Sequence, residues 1–373
     1  MLNKIYENWL FYVVVFIIGI GISITAYYAI RYLYGPTYNR MVINLAPQPT
    51  ANITSYGQPT TKEGVNILLL GYGGEGHSGS TLADSIILIN VDPVKKLVKV
   101  ISIPRDLYID IPIDWNTKQG YKINAAYSIG VSDTQYPNKK PEYKGTNGGG
   151  NLAKAVVGEV AGLTVDYYIA VDFSKYKEII DLLGGINVSV PITFTDNFYP
   201  IKGLENETCG FTADQITDFH TRYSDFDLEK QFTCRYEKLH FEKGIVKMNG
   251  GTALKFVRSR HSEESGGDFN RSERQHAVLS AIKDKVISLG ILSSGNAIYQ
   301  SLAQSVTTDI KTGSIEEFLK PLGNILEYKV INIYLTDQNL LNNTKAPNGA
   351  YILVPKEGLN NYSGIQKYLN STN

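Results

Sequence analysis

Residues 66–104 read NILLLGYGGEGHSGSTLADSIILINVDPVKKLVKVISIP, and this stretch decides the fold. Three runs, NILLLG (66–71), DSIILINVD (84–92) and LVKVISIP (97–104), have strand length and β-branched content; two are nearly all apolar and the third alternates. DPVKK joins the second and third through a tight turn. Gly71, Gly73 and Gly76 follow the first run and formally match a dinucleotide fingerprint. That fingerprint needs a helix starting at the glycines and a crossover of about a dozen residues before the next parallel strand. EGHSGSTLA offers only about nine, rich in Gly and Ser, so the segment reads as a loop at a strand end.

Further along, NLAKAVVGEVAG (151–162) carries apolar residues at helical spacing and DYYIAVDF (166–173) alternates as a strand. SKYKEIIDLLGG (174–185) reads as a helix stopped by glycine, and INVSVP (186–191) as a short strand. This order of strands and helices predicts an α/β fold, a layered α/β/α domain with a central mixed β-sheet. Residues 192–245 are polar, aromatic and irregular and read as an insertion or lid. NGGTALKFVRSR (249–260) restores order, and RSERQHAVLSAIKDKVISLG (271–290) has the pattern of a long amphipathic helix. YKVINIYLT and AYILVP are strand candidates in the remainder. The expected organisation is one domain over 64–373, with a core at 64–290, the insertion at 192–245 and a C-terminal extension at 291–373.

Upstream, Asn8 to Ile30 contains no charged residue, and WLFYVVVFIIGIGISITAYYAI is long enough to cross a hydrocarbon core of roughly 30 Å. Trp9, Tyr12, Tyr27 and Tyr28 stand near its ends, where amphipathic rings favour the interface. A cleavable signal would be shorter and end in small residues. The expectation is a short cytoplasmic head (1–8), a retained transmembrane helix (9–30) and an extracytoplasmic linker (31–63) rich in Pro, Thr, Asn and Gly. The flanking charges, Lys4 against Arg31 and Arg40, say little about orientation. A short head before a long body is the layout of a single-pass type II protein of the cell membrane. Cys209 and Cys234 are the two cysteines and could pair in an oxidising compartment.

The chain balances 36 basic against 36 acidic residues, so no whole-chain field draws it to nucleic acid, and any anion site is local. Between positions 258 and 274 stand Arg258, Arg260, Arg271 and Arg274, joined by His261, Asp268 and, one position further, Gln275. Arg258 and Arg260 alternate and so project to one side if their segment is a strand; Arg271 and Arg274 share a face at a helix start. Two pairs of guanidinium forks suit a pyrophosphate, whose oxygens accept bidentate hydrogen bonds. The competing reading is a solvated helix face paired to Glu263, Glu264 and Glu273. Earlier, SIPRD (102–106) ends a strand with Arg105, while Asp84 begins the strand before it. In a hairpin the two share a sheet edge, where they form either a buried ion pair or, beside phosphate, a magnesium site. KINAAYS (122–128) adds Lys122 as a further phosphate contact.

Taken together, NILLLG, Asp84, DPVKK, SIPRD, KINAAY, DYYIAVDF, LLGGINVSVP, NGGTALKFVRSR and DFNRSERQ resemble, in order and approximate spacing, the LytR-CpsA-Psr family over residues of about 64–290. The resemblance implies a membrane-anchored phosphotransferase that moves a glycopolymer from a polyprenyl pyrophosphate carrier onto a peptidoglycan sugar hydroxyl. It implies that Asp84 binds magnesium or another divalent cation and that Arg105, Arg258, Arg260, Arg271 and Arg274 hold the pyrophosphate, with Asp268 and Gln275 orienting them. Asp84, Arg105 and Asp268 are then the expected catalytic residues, with the general base open among Asp84, Asp106 and Asp268. Many members carry an aspartate where this chain has Tyr72 and an arginine where it has Leu82; Glu75 is a substitute carboxylate. The lipid tail is expected in an apolar groove between the sheet and the helices at 151–162 and 174–183. Two other functions use the same residues: hydrolysis of the pyrophosphate, and non-catalytic reception of the lipid-linked glycan. Transcriptional regulation fits poorly with an exported body of zero net charge.

Overall fold

The computed structural model describes residues 64–74, 79–289, 305–310 and 327–372. The expected head, membrane span and linker at 1–63 lie outside the described residues, as does Glu75. Among the described residues no helix is long and apolar enough to cross a membrane.

In chain order the first elements are β1 (Val65–Tyr72), β2 (Ala83–Asp92), β3 (Leu97–Ser102), β4 (Tyr108–Pro112), β5 (Lys118–Lys122), helix α1 (Ala125–Val131), α2 (Gly148–Ala161), β6 (Tyr167–Asp172) and α3 (Phe173–Leu182). Then come β7 (Ile186–Val190), β8 (Phe194–Pro200), α4 (Ala213–Arg222), α5 (Asp225–Glu229), β9 (Tyr236–Phe241), β10 (Gly244–Met248), α6 (Gly250–Arg258) and α7 (Gly267–Ser288). Four short strands, β11 (Thr307–Thr308), β12 (Lys329–Tyr334), β13 (Leu341–Lys345) and β14 (Tyr351–Pro355), precede the last helix, α8 (Ser363–Ser371). The chain forms two compact units: Ile180–Lys285, and the residues before and after it.

The larger unit is built on a six-stranded mixed sheet of order β11-β6-β1-β2-β3-β12. Its centre is the antiparallel meander β1–β2–β3, and parallel pairs β1–β6 and β3–β12 flank it. The strand after the glycine-rich loop therefore returns antiparallel to β1, which is incompatible with a dinucleotide crossover. Val94 N and Lys95 N both donate to Asp92 Oδ1, which closes the DPVKK turn on its own aspartate. Leu68, Leu70, Ile86, Leu88 and Ile101 point to one face and pack with α1 and α2. Ile67, Ile87, Ile89, Val91, Val98 and Val100 on the other face are buried as well, which is why the strands read as nearly continuous apolar runs. A Cβ on Gly150 would come within 2.1 Å of the Tyr168 ring, so α2 can lie this close to β6 only with glycine there.

The smaller unit pairs β7 with β10 and β8 with β9, both antiparallel, around Phe194, Phe241 and Phe256. Here the sequence reading needs correction. Residues 192–245 are not irregular: they contain β8, α4, α5, β9 and the start of β10. The β8–β9 pair is bulged between Asp196 and Tyr199, and its partners lie about forty residues apart, so neither an unbroken alternation nor a local hairpin marks it. Residues 250–258 are helical, so Arg258 and Arg260 do not alternate on a strand. Asn249 caps this helix by accepting from Thr252 N, and Ala253, Leu254, Phe256 and Val257 form its buried face. Cys209 and Cys234, which could pair on the sequence reading, are disulfide-bonded.

Candidate functional site

At the ends of β2, β3 and β5 in the larger unit, four charged side chains form a chain of ion pairs. Arg105 Nη1 donates to Asp84 Oδ1 at 2.5 Å, and its Nε lies 3.5 Å from Asp106 Oδ2. Lys122 Nζ donates to Asp106 Oδ1 at 2.5 Å. The meander places the first pair, because β2 and β3 run antiparallel and bring the start of one beside the end of the other. Backbone bonds then fix the KINAAY segment: Ile123 N donates to Leu107 O, Asn124 N to Arg105 O, and Ala83 N to Asn124 O. Asp106 is buried, whereas the side chains of Asp84, Arg105 and Lys122 are 35%, 27% and 32% exposed. An incoming anion can therefore reach both cations while Asp106 holds them from behind.

Tyr72 ends β1 next to Ala83 in register, and its ring packs against Tyr127 with centroids 5.2 Å apart. Burial first, then the charge of Asp172, holds its phenol above the ordinary value. It is neutral at physiological pH and does not replace a carboxylate. Among the described residues no three His, Cys, Asp or Glu side chains gather into a metal cluster. Among the described residues the accessible carboxylate beside Arg105 is Asp84, and Asp172 ends β6 on the far side of Tyr72. Magnesium characteristically keeps several waters and takes one or two carboxylates plus substrate phosphates, so that donor set fits it only alongside a bound phosphate.

In the smaller unit a second charged arrangement surrounds the segment after α6. Asp196, fully buried on β8, accepts at Oδ2 from Ser259 Oγ at 2.7 Å, Arg260 N at 3.0 Å and His261 N at 3.1 Å. Its Oδ1 accepts from Phe198 N at 2.9 Å. Burial by itself would raise this carboxyl, but the four hydrogen bonds outweigh it and hold it below the usual range. Arg274 is buried on α7 and donates to the carbonyls of Phe256, Ser259 and Ser265 and to Ser265 Oγ. Burial lowers its pKa to about 10, opposed by the charge of Asp196. Asp196 and Arg274 thus fasten the 259–261 turn, one through the amides of Arg260 and His261 and the other through the carbonyl of Ser259. His261 stacks on Phe226 at 3.8 Å between centroids.

A LytR_cpsA_psr family model matches residues 38–367. The chain belongs to that family. Among curated members, it is 27% identical over 297 residues to the polyisoprenyl-teichoic acid–peptidoglycan teichoic acid transferase TagV of Bacillus subtilis, covering 79% of this chain and 61% of TagV. It is 27% identical over 265 residues to the TagU enzyme of the same description from Bacillus cereus, covering 71% of this chain and 66% of TagU. The chain thus spans slightly less than two thirds of either relative. The crystal structure of B. subtilis TagV superposes with a TM-score of 0.50 at 25% identity, over 83% of this chain and 96% of that one.

Within this LytR_cpsA_psr member, Asp84, Arg105 and Lys122 meet through Asp106, which the sequence reading noticed only as a possible base. Arg258, the last residue of α6, hydrogen-bonds Tyr199, and Arg260 follows it on the anchored turn. Arg271 is buried in the second turn of α7, Asp268 lies in its first turn, and Gln275 is half-buried beyond Arg274. Arg274 is a correction: expected beside Arg271 as a phosphate ligand, it spends its guanidinium on the chain's own carbonyls. Periodicity places it on a helix face but does not tell which face meets carbonyls. Asp196 was missed altogether. Its only local mark is a carboxylate at an inward position of an alternating segment, FTDNFYP.

Proposed function

We propose that this chain is a phosphotransferase that moves a glycopolymer from a polyprenyl pyrophosphate carrier onto a peptidoglycan sugar hydroxyl, with the run at 9–30 anchoring it in the membrane beside its lipid substrate. The observation that carries the reading is the Asp84–Arg105–Asp106–Lys122 chain: two accessible cations fixed by a buried carboxylate at the edge of a rigid sheet. Phosphoryl transfer needs positioning and charge stabilisation more than covalent chemistry, because negative charge spreads over phosphate oxygens in the transition state. Arg105 offers planar bidentate donors and Lys122 a point charge. The printed descriptions of the TagV and TagU relatives support the substrate class.

In the reaction the acceptor hydroxyl attacks the sugar-side phosphorus. A new P–O bond forms, the bond from that phosphorus to the bridging oxygen breaks, and polyprenyl phosphate leaves with the electron pair. The hydroxyl proton passes to a carboxylate, for which Asp84, Asp106 and Asp268 are the candidates, Asp84 only where it holds no metal. Magnesium on Asp84 would supply charge neutralisation for the diphosphate. Arg258, Arg260 and Arg271 are the further residues proposed to bind the diphosphate, with Asp268 and Gln275 orienting them, and the apolar tail takes the groove beside the sheet and α2.

The test is product analysis with the full chain, a polyprenyl pyrophosphate disaccharide and peptidoglycan fragments, with and without magnesium. A sugar phosphate covalently attached to the fragment is expected. Release of sugar phosphate to water alone would make the protein a pyrophosphate hydrolase, and tight binding without turnover would make it a glycan receptor, a role in which Tyr72 in place of a metal-binding aspartate is no handicap.

A further inference from the structure

Beside Lys122 the larger unit contains a cavity of about 460 Å³, between the β4–β5 hairpin, the start of α1 and the loop joining β13 to β14. That volume is within the range of small-molecule sites, ~300–1,000 Å³. Asn124 lines it and is 8% exposed. Its backbone is held at both ends, by Arg105 O and Ala83 N, yet its carboxamide caps no helix and has no hydrogen-bond partner among the described residues. The carboxamide is not sealed away from solvent, so both its donor and its acceptor are open to a hydrogen-bonding group that enters the cavity. Tyr108 and Tyr121 supply much of the apolar surface. The Tyr108 side chain is fixed against β5: a Cβ on Gly120 would lie 2.3–2.7 Å from its Oη, Cζ and Cε1. Gln119 and Asn348 add two more carboxamides at the border, and no carboxylate lines the space.

Aromatic walls with carboxamides that both donate and accept suit a neutral, hydroxyl-rich ring better than an ion or a lipid tail. Lys122 belongs both to this cavity and to the ion-pair chain, so a group seated here adjoins a phosphate bound at Arg105 and Lys122. We infer that the cavity is a saccharide subsite, with the Asn124 carboxamide as its hydrogen-bonding anchor and Tyr108 and Tyr121 as its apolar wall. Which sugar occupies it, that of the pyrophosphate donor or that of the peptidoglycan acceptor, rests on the phosphotransferase reading above.

Two substitutions that leave the ion-pair chain intact test this in the full chain. Asn124→Leu removes the amide at nearly constant volume, and Ala350→Phe fills the cavity from the opposite hairpin. Three probes are titrated: a polyprenyl pyrophosphate disaccharide, a disaccharide muropeptide followed by saturation-transfer NMR, and sugar-free polyprenyl pyrophosphate. Both variants are expected to bind the sugar-free lipid as the parent does and to lose at least tenfold in affinity for one saccharide probe. Loss for the lipid-linked disaccharide identifies the donor sugar, and loss for the muropeptide the acceptor. Unchanged affinity for both saccharides overturns the subsite even where transfer is normal. Loss of saccharide affinity in a protein that transfers nothing keeps the subsite and removes the transferase reading. Should Asn124→Leu melt early, Ala350→Phe decides the outcome alone.

Discussion

Replacing Asp196 with alanine should cost the smaller unit about 4 kcal/mol, a large share of its margin. The magnitude follows from the geometry. The carboxylate is fully buried and accepts four hydrogen bonds, three at one oxygen from Ser259 Oγ, Arg260 N and His261 N and one at the other from Phe198 N. Each buried donor left without an acceptor costs on the order of 1–3 kcal/mol, and relaxation and water entry make the sum less than additive. Removal also strips the buried Arg274 cation of a favourable charge, although no direct ion pair joins the two side chains. Set against a domain stability of about 5–15 kcal/mol, a loss of about 4 is severe. Urea unfolding measures it, with the midpoint expected to fall by about 2 M or more. Asp196→Asn keeps one acceptor but turns an amide towards Phe198 N, and should lose about half as much. In Asp196→Ala/Arg274→Met the cation that lost the nearby charge is gone too, and both side chains hold one turn, so the double variant should be more stable than the sum of the singles predicts, by about 0.5 kcal/mol or more. A loss below about 1 kcal/mol in the alanine variant would refute the view that this carboxylate organises the 259–261 turn.

Arg105→Ala should reduce transfer by about 10²–10³-fold, the range seen when one donor to a developing anion is removed, and Arg105→Lys should recover only part of it because the fork is lost; single-turnover rates on the lipid-linked substrate check both. Reducing the Cys209–Cys234 bond, or replacing both with serine, should destabilise the protein by about 2–4 kcal/mol, since the bond closes a loop with a sequence separation of 25; denaturation with and without reductant measures it. Asp196 also predicts an acid limit. Its folded pKa lies below the unfolded value of 3.8, so the unfolded state binds more protons between the two. Its stabilisation is therefore complete above about pH 4 and is lost as pH falls through the lowered folded pKa; a pH series of unfolding midpoints should show this drop in the parent and not in Asp196→Asn.

The sequence alone determined the parts of this protein that depend on neighbours along the chain. NILLLG, DSIILINVD and LVKVISIP are strands because their runs are apolar and β-branched, and a short turn between the second and third forces them antiparallel. That geometry brings Asp84 and Arg105 to one edge. The helices expected at 151–162 and 271–290 from apolar spacing begin three and four residues earlier, at 148–161 and 267–288. The segment 250–258 carries a helix signal too, since Asn249 is a cap and Ala253, Leu254, Phe256 and Val257 repeat with helical period, while Arg258 and Arg260 imitate the alternation of a strand.

Only the tertiary structure decided what the charged residues do once placed. Arg271 and Arg274 look equivalent on a helical wheel, yet Arg274 meets three carbonyls and becomes part of the scaffold. Asp196 and the turn it holds are more than sixty positions apart, and the β8–β9 pair that presents it closes across about forty residues. The partnerless Asn124 amide beside its cavity is likewise invisible in KINAAY. The reason is physical: periodicity records which face of an element is apolar, whereas the partner of a buried polar group is chosen by long-range packing, and that choice decides whether a charge is spent on the fold or left for a substrate.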